Sequence, residues 1–313
     1  RNIVKYLPPK AVLVFNETKV IPARLELQKT TGGKVRVLFV GVEHGWIKIL
    51  SPKSLRISEK LSVKNRHFVV VNKESQFWFL RPSFPVKDIY KILEKYGEMP
   101  IPPYIKNSPL SKSELKKEYQ TVFARWPGSV AAPTAALHFT ESLMSKIKKA
   151  GHEIVFVTLH VNLGTFAPLT EGNFKTGKLH LEYYEIHPSA ADKLNIAKSH
   201  GRKIIAVGTT SLRALESAEE GGQLRKLKGE TDVFIHGNSI PLIRPNEGYD
   251  RKLVDYGRFG FVDGLITNFH VPRSSLMMLV AALVGREKTL QIYKIAIRKK
   301  FRFFSFGDGM LIV

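Results

Sequence analysis

Residues 203–220 read KIIAVGTTSLRALESAEE, and this stretch decides the fold class. The apolar run that ends at Val207 is typical of a strand buried on both faces, and a helical pattern follows directly after Gly208. Further apolar runs at 154–159 and 264–266 are separated by other helical patterns. Because strands alternate with helices after about residue 104, the sequence predicts an α/β domain whose mixed or parallel sheet is layered with helices.

Capping residues mark the helices of this predicted domain. Each helical pattern opens with Ser or Thr, which satisfies free backbone N–H groups, and is followed by a glycine that can end a helix in the left-handed conformation. The predicted helices span 140–149, 189–200, 211–220 and 274–284, and the glycines are Gly151, Gly201, Gly221 and Gly285.

A different pattern fills the chain between residues 25 and 80. Short alternating or β-branched runs are separated there by glycine-containing turns, which is typical of an antiparallel barrel or sandwich. A short helical pattern ends before Gly97, and a proline-dense segment at 99–104 then carries the chain out of this unit. The predicted strands are 34–40, 46–50, 68–71 and 76–80.

The predicted strand at 9–20 precedes the β unit, so the simplest organisation inserts that unit into the α/β domain. We expect residues 1–22 and 105–313 to form the α/β domain, and residues 23–104 to form an inserted antiparallel β-barrel domain. The polar stretch at 237–252 has no apolar period and is predicted to be a mobile loop. The chain starts at Arg1 without a methionine and soon enters a strand pattern, so we expect a further N-terminal stretch before it.

The composition bounds the partners. The 49 Lys and Arg outnumber the 27 Asp and Glu, for a formal charge of +22. This excess attracts polyanions and favours RNA, although a lysine-rich surface that serves only solubility has the same composition. The densest basic run is Arg298–Arg302. The lack of cysteine excludes disulfides and thiolate metal sites and fits a cytoplasmic protein, and no apolar run is long enough for a membrane-spanning helix.

Polar residues that follow the strands are the first site candidates, because open α/β sheets bind ligands beyond the carboxyl ends of their strands. Thr209, Thr210 and Ser211 follow one strand and open a helix. Free N–H groups and the helix dipole favour a carboxylate or phosphate there, and Arg213 in the first turn gains from a bound anion. An ordinary capped turn between strand and helix has the same pattern.

Other strand ends supply candidate acids, bases and substrate contacts. His160 follows the strand at 154–159, and Asn268 and His270 follow the strand at 264–266. His138 ends a segment of small residues, and Glu182 shares one side of an extended chain with His180. Such groups can transfer protons, but a histidine at a strand end is more often a hydrogen-bonded structural residue, and a His–Glu pair at this spacing is more often a surface charge pair. The histidine spacing fits no known metal site, and no phosphate-binding glycine motif occurs.

Seven blocks of sequence, spread in order over nearly the whole chain, carry a family resemblance. They cover residues 15–24, 98–105, 131–140, 158–166, 206–217, 262–272 and 302–312. Together they resemble the S-adenosylmethionine:tRNA ribosyltransferase-isomerase family. The resemblance implies an α/β domain with an inserted β-barrel, which agrees with the organisation expected from the patterns alone.

The resemblance also implies a reaction. S-adenosylmethionine would be a co-substrate that donates its ribosyl group to 7-aminomethyl-7-deazaguanine at the wobble position of tRNA. The products would be epoxyqueuosine in tRNA, adenine and methionine, and no metal or redox cofactor is expected. The partners would be S-adenosylmethionine and the anticodon arm of tRNA, and we expect a monomeric cytoplasmic enzyme with no membrane contact.

Site roles follow from this chemistry and from position in the chain. We expect His138, His160 or Glu182 to act as the acid or base. Substrate contacts are expected from Thr209, Thr210, Ser211, Arg213, Asn268 and His270, and tRNA phosphate contacts are expected from Lys19 and Arg24.

Some positions depart from the family pattern. The family usually has glycine where this chain has Ala136 and Asn162, alanine where it has Gly309, and a histidine near Gly177. The stretch at 237–252 resembles an insertion. Two other hypotheses stay open: a non-catalytic RNA-binding protein, favoured by the charge and the β unit, and a small-molecule adenosyl or phosphoribosyl enzyme, favoured by the turn at 208–211.

Overall fold

A computed structural model describes residues 2–102, 104–105, 108–162, 169, 171–235, 259–272 and 274–313. Contacts between residues divide the chain into two compact units. The α/β unit comprises Arg1–Thr18, Thr121–Trp126 and Pro133–Val313, and the barrel unit comprises Lys19–Gln120 and Pro127–Ala132. The domain boundaries expected from the sequence, after residues 22 and 104, stay a prediction.

The elements follow in chain order. The strands are β1 (Val12–Asn16), β2 (Thr18–Val20), β3 (Arg24–Lys29), β4 (Lys34–Glu43), β5 (Trp46–Leu50), β6 (Lys60–Val63), β7 (Arg66–Glu74), β8 (Phe77–Pro82), β9 (Trp126–Ser129), β10 (Glu153–Leu159), β11 (Lys178–Glu185), β12 (Ile204–Val207), β13 (Glu219–Glu220), β14 (Gln223–Leu224), β15 (Lys228–Val233), β16 (Gly264–Asn268) and β17 (Gly309–Ile312). The α-helices are α1 (Ile89–Tyr96), α2 (Lys112–Glu118), α3 (Glu141–Lys149), α4 (Glu171–Thr176), α5 (Pro188–Ser199), α6 (Thr209–Ala218), α7 (Ser275–Val284) and α8 (Arg286–Arg298). Short 3₁₀ helices span Ile3–Tyr6, Val86–Asp88 and Thr134–His138.

A seven-stranded mixed sheet forms the centre of the α/β unit, in the order β15-β11-β10-β1-β12-β16-β17. The four central strands, β10, β1, β12 and β16, are parallel, and the outer strands pair antiparallel. Val14 of β1 lies opposite Val155 on one side and Ala206 on the other. The mixed sheet layered with helices confirms the predicted fold class.

The core lies around β1, whose five residues are all buried, as expected for a central strand covered on both faces. Phe15 packs edge-on against Phe139 and Phe123, with ring centroids 4.9 and 5.1 Å apart. Val207 and Ile266 on the neighbouring strands belong to the same apolar cluster. These contacts fix the carboxyl ends of the central strands relative to one another, and the candidate site residues lie at those ends.

The barrel unit contains a closed antiparallel barrel of six strands in the order β3-β4-β5-β8-β7-β6, as predicted. Buried and exposed residues alternate along β3, which follows from the two-residue period of a strand. Gly97 ends α1 with extended backbone (φ −77°) and not in the left-handed form. It is glycine for another reason: a Cβ there would overlap the carbonyl oxygens of Pro22 and Leu93.

Some helix ends differ from the prediction. Helix α6 begins at Thr209, two residues before the predicted cap, because Gly208 (φ 88°) makes the turn and the Ser211 hydroxyl donates to the Val207 carbonyl. Helix α5 is capped by the imidazole of His187 and not by Ser189. Gly151, Gly201, Gly221 and Gly285 all have the predicted positive φ. Gly221, however, lies between β13 and β14 and does not cap a helix.

The predicted mobile loop at 237–252 lies outside the described residues. Within the described part of the chain, none of the helices has both the length and the apolar composition needed to cross a membrane.

Candidate active site

The carboxyl ends of the four parallel strands meet at one edge of the sheet, and most predicted site residues lie there. His160 follows β10, Thr209 follows β12, and Asn268 ends β16. Asn16 ends β1 between them and is fully buried. Its amide bridges to β10, donating to Leu159 O at 2.9 Å and accepting from Leu159 N at 3.0 Å. The tertiary fold therefore brings together residues that lie more than a hundred positions apart in the chain.

A buried ion pair joins β11 to α6. The carboxylate of Glu182 accepts from the backbone N–H of Asn162 at 2.9 Å and contacts Nη1 of Arg213. The two charged side chains are 1% and 7% exposed. Charges so deeply buried are tolerated only when paired, so Glu182 compensates Arg213 and fixes its position.

The guanidinium of Arg213 is incompletely satisfied. Its Nε and Nη2 atoms are buried and have no hydrogen-bond partner among the described residues. Arg213, Glu182 and His180 line a pocket whose walls are otherwise mainly apolar, formed by Leu179, Val233, Phe234, Ile235, Ser275, Leu276 and Leu279. Two unpaired donors on a fixed cation suit a planar anion such as a carboxylate. A ligand with an anionic end and an apolar body fits this chemistry.

The first turn of α6 adds further donors. Thr209, Thr210 and Ser211 are all buried, and the hydroxyl of Ser211 is occupied by Val207 O at 2.9 Å. The hydroxyl of Thr210 is buried without a hydrogen-bond partner among the described residues. It lies at the positive end of a ten-residue helix, where an anion is favoured.

His160 is held with one ring nitrogen directed inward. Its Nδ1 lies 2.8 Å from the hydroxyl of Thr18, and its ring stacks on Tyr183 with centroids 6.0 Å apart. Burial lowers the pKa of His160, and the nearby Glu185 carboxylate opposes this shift. The ring is therefore neutral at pH 7. The other ring nitrogen, Nε2, makes no hydrogen bond to any described residue. When Nδ1 carries the ring proton and donates it to Thr18, the open Nε2 of this neutral imidazole is suited to general-base work.

His138 and Asn268 form a second pair at the other side of the site edge. Asn268 accepts from the Thr134 hydroxyl at 3.2 Å, and its Nδ2 lies 3.2 Å from Nε2 of His138. This arrangement leaves the His138 proton on Nδ1. The pKa of His138 is lowered, chiefly because the ring is partly buried. The Asp308 carboxylate opposes this shift, and the Arg302 guanidinium adds to it.

His270 is built into the structure more firmly. Its Nε2 lies 2.9 Å from the Thr267 hydroxyl, and its backbone N–H donates to the hydroxyl of Tyr293 at 2.8 Å. Burial lowers the pKa of His270 to about 4. The imidazole is thus neutral and hydrogen-bonded, which suits a fixed contact better than proton transfer.

Comparisons with known proteins show the family to which the chain belongs. The sequence profile of a family described as queuosine biosynthesis protein matches residues 1–312. The chain belongs to this family. It is 43% identical over 320 residues to the S-adenosylmethionine:tRNA ribosyltransferase-isomerase of Halothermothrix orenii, covering 100% of this chain and 87% of that protein. The protein of the same name from Cupriavidus pinatubonensis is 42% identical over 317 residues, covering 99% of this chain and 84% of that protein.

One solved structure is also similar to this queuosine biosynthesis family member. It is the crystal structure of S-adenosylmethionine tRNA ribosyltransferase from Thermotoga maritima, with 29% identity and a TM-score of 0.48. The similarity covers 99% of this chain and 85% of that chain. The family resemblance inferred from the seven sequence blocks is confirmed by the family and sequence matches.

Not all predicted site residues of this family member lie in the α/β unit. Lys19 and Arg24 belong to the barrel unit. Lys19 is exposed, while Arg24 is partly buried and its Nη2 donates to Ile101 O at 3.4 Å. Lys19 is therefore accessible to a phosphate, and the Arg24 guanidinium is already engaged at one nitrogen. Their predicted role in tRNA binding stays a prediction.

The structure adds neighbours that the sequence did not single out. Thr18 orients His160, and Asp308 lies close enough to His138 to influence its pKa. Thr18 lies in the block 15–24 that carries the family resemblance, so a signal for it was present in the sequence. Its partner His160, however, lies 142 positions away in the chain. Among the described residues, no group of three or more His, Asp or Glu side chains could hold a metal ion.

Proposed function

We propose that this chain transfers and isomerises the ribosyl group of S-adenosylmethionine onto 7-aminomethyl-7-deazaguanine at the wobble position of tRNA. The products are epoxyqueuosine in tRNA, adenine and methionine. S-adenosylmethionine is consumed as a co-substrate, and the reaction needs no metal or redox cofactor. The enzyme acts in the cytoplasm as a monomer.

The observation that carries the proposal is the similarity of the whole chain to relatives that bear the name of this activity. The two relatives described above that bear this name are 43% and 42% identical to this chain over 100% and 99% of its length. The site geometry supports the same reaction, because it offers an anion site and a neutral imidazole at one edge of the sheet.

The reaction begins with proton removal. The positive sulfur of S-adenosylmethionine acidifies the neighbouring ribose C5′ proton, so a base must be held near that carbon. We assign this base to His160, since its Nε2 is open, its Nδ1 is oriented by Thr18, and its lowered pKa keeps the ring neutral. Glu182 is a poorer candidate because its carboxylate is engaged by Arg213 and Asn162. We assign Glu182 the role of positioning the guanidinium.

The methionine end of the co-substrate matches the pocket beside α6. Its carboxylate can accept from the two unpaired nitrogens of Arg213, and the apolar pocket walls suit its methylene groups. Thr209, Thr210 and Ser211 supply the helix N-terminus, with the Thr210 hydroxyl as the unpaired donor. In this arrangement, Arg213 binds the carboxylate and holds the sulfonium near the site edge.

The other pair is assigned to the departing base. Asn268 and His138 together present an amide and an imidazole whose Nδ1 carries a proton, which can assist adenine in leaving. His270 fixes the segment after β16 as a neutral contact. Lys19 and Arg24 contact tRNA phosphates.

Adenine release tests the proposal. The purified chain is mixed with S-adenosylmethionine and either tRNA carrying 7-aminomethyl-7-deazaguanine or the same tRNA carrying guanine. Release with the modified tRNA alone is the expected result. Binding of tRNA without adenine release would favour the RNA-binding alternative, and release without tRNA would favour the small-molecule enzyme.

Single variants test the residue roles. His160→Gln removes the open imidazole nitrogen and is expected to lower kcat by about 10²–10⁴-fold, the usual contribution of a general base. His44→Gln is the matched control, because this histidine side chain is 84% exposed in the barrel unit. Full turnover by a folded His160→Gln protein would remove His160 from the mechanism.

A further inference from the structure

The segment between α8 and β17 presents aromatic rings and positive charges together. Residues 298–302 read RKKFR, and the following residues 303–306 read FFSF. Phe301, Phe304 and Phe306 are 42%, 37% and 49% exposed. The proposed roles of the site residues use none of these side chains. We call residues 298–306 the aromatic-basic segment.

This segment is anchored and has a defined shape. Phe303 packs against Phe269 with ring centroids 5.1 Å apart, and the backbone N–H of Phe304 donates to Phe269 O at 2.9 Å. Arg302 and Asp308 close the turn: Arg302 N donates to Oδ2 of Asp308 at 2.8 Å, and Asp308 N donates to Arg302 O at 2.7 Å. The backbone that carries the partly exposed rings is therefore fixed.

The backbone itself is unusual at Phe304. Its φ is 72°, in the left-handed region that a bulky side chain rarely adopts. Such a conformation persists only where surrounding contacts hold it, and it is concentrated at functional sites. The hydrogen bonds of Phe304, Arg302 and Asp308 hold it here.

The aromatic-basic segment borders the His138–Asn268 pair. Phe269, which anchors the segment, directly follows Asn268, and Asn268 pairs with Gly309 across β16 and β17. A Cβ on Gly309 would lie 3.7 Å from the His138 ring. The aromatic-basic segment therefore lies beside the pair to which the proposed function assigns adenine release, and its Arg302 is near enough to His138 to lower the pKa of that imidazole.

We propose that the aromatic-basic segment binds unpaired RNA bases that flank the modified base, with stacking on Phe304 and Phe306 and phosphate contacts from Arg298, Lys299 and Lys300. This inference rests on the proposed function, which brings an RNA loop to the same edge. Single-stranded RNA is recognised by stacking on aromatic side chains beside a positively charged surface. Duplex RNA offers phosphates but no free base faces, so it would leave the exposed rings unused.

Binding of RNA to the full chain tests the proposal. The probes are a stem-loop with an unpaired seven-nucleotide loop and a blunt duplex of the same stem. Phe306→Ala is expected to raise the Kd for the stem-loop by about 5- to 150-fold, the range for losing one base–aromatic stack. Phe306→Leu keeps most of the volume and should also bind weakly, whereas Phe306→Tyr keeps the ring and should bind like the unaltered protein.

Salt dependence separates the charges from the rings. Lys299→Gln with Lys300→Gln should reduce the slope of log Kd against log salt by about 0.7 per lost phosphate contact, whereas Phe306→Ala should leave that slope unchanged. Tyr6→Ala is the matched control, since Tyr6 is 71% exposed elsewhere on the α/β unit. An unchanged Kd for S-adenosylmethionine shows that the variants are folded.

The outcomes are distinct from those of the adenine-release experiment. If the unaltered protein releases adenine but Phe306→Ala binds the stem-loop normally, the surface assignment is overturned and the proposed function stands. Equal affinity for stem-loop and duplex would overturn it as well. A self-associated protein that Phe306→Ala converts to monomer would assign the surface to a second copy of the chain, against the proposal. If no adenine is released but Phe306→Ala still weakens stem-loop binding, the surface assignment stands without the reaction.

Discussion

Replacing Glu182 with glutamine removes the negative charge from its buried pair with Arg213. The two side chains are 1% and 7% exposed, so water does not screen the charge that remains on the guanidinium. Removing one partner of a buried pair costs about 3–5 kcal/mol, because an uncompensated charge stays in the interior. No described residue bonds Nε or Nη2 of Arg213, so no other side chain takes over the lost interaction.

Thermal unfolding measures this cost. For a unit of this size, about 1 kcal/mol lowers Tm by roughly 2–4 °C, so Glu182→Gln should lower Tm by about 6–20 °C. The double variant Glu182→Gln with Arg213→Met removes both charges and should recover most of the loss, since apolar replacements of buried pairs are often neutral. A Tm drop below about 2 °C, or a double variant no more stable than the single one, would refute the reasoning.

Four further outcomes are expected. Because burial lowers the pKa of His160, the acid limb of the pH profile of kcat/KM for adenine release should have its midpoint below pH 6.5. A midpoint above pH 6.5 would contradict the assignment of His160 as the base. Burial lowers the pKa of His270 to about 4, so as pH falls from 6.5 to 4 the unfolded chain takes up a proton before the folded protein does, and stability is lost. Because the ring keeps some exposure, we expect the free energy of unfolding, measured at stepped pH values, to fall by about 2–3 kcal/mol over this range. His270→Gln should not show this loss. Gly97→Ala should destabilise the barrel unit by about 1–3 kcal/mol in denaturant titration, because the Cβ of the new alanine would overlap the Pro22 carbonyl. Unchanged stability would show that the chain relaxes at this position. Thr210→Val should leave Tm unchanged or higher, because the buried hydroxyl has no partner without an anion. It should also weaken methionine binding by about 2- to 12-fold in calorimetry, and equal affinity would exclude the Thr210 hydroxyl from the anion site.

Much of the fold could be predicted because its signals are local. The apolar run before Gly208, and the Ser or Thr caps of α3 and α7, mark elements through contacts within a few residues. Strand β11 was expected only as an extended chain at His180 and Glu182, and its place in the sheet was not predicted, because alternating exposed and buried residues with charges outside also resemble a polar loop. The start of α6 was misplaced because Ser211 looks like a cap, whereas its hydroxyl bonds back to Val207.

The site could be predicted as a set of strand ends but not as a set of pairs. The sequence by itself determined that His160, Thr209 and Asn268 follow buried parallel strands, because apolar runs and the residues that end them are recognisable within a few neighbouring positions. Only the tertiary structure decided that Arg213 meets Glu182, 31 residues away, and that His138 meets Asn268, 130 residues away. The physical reason is that strand order in a sheet is set by packing between distant segments, and no local pattern encodes which charge another charge will meet.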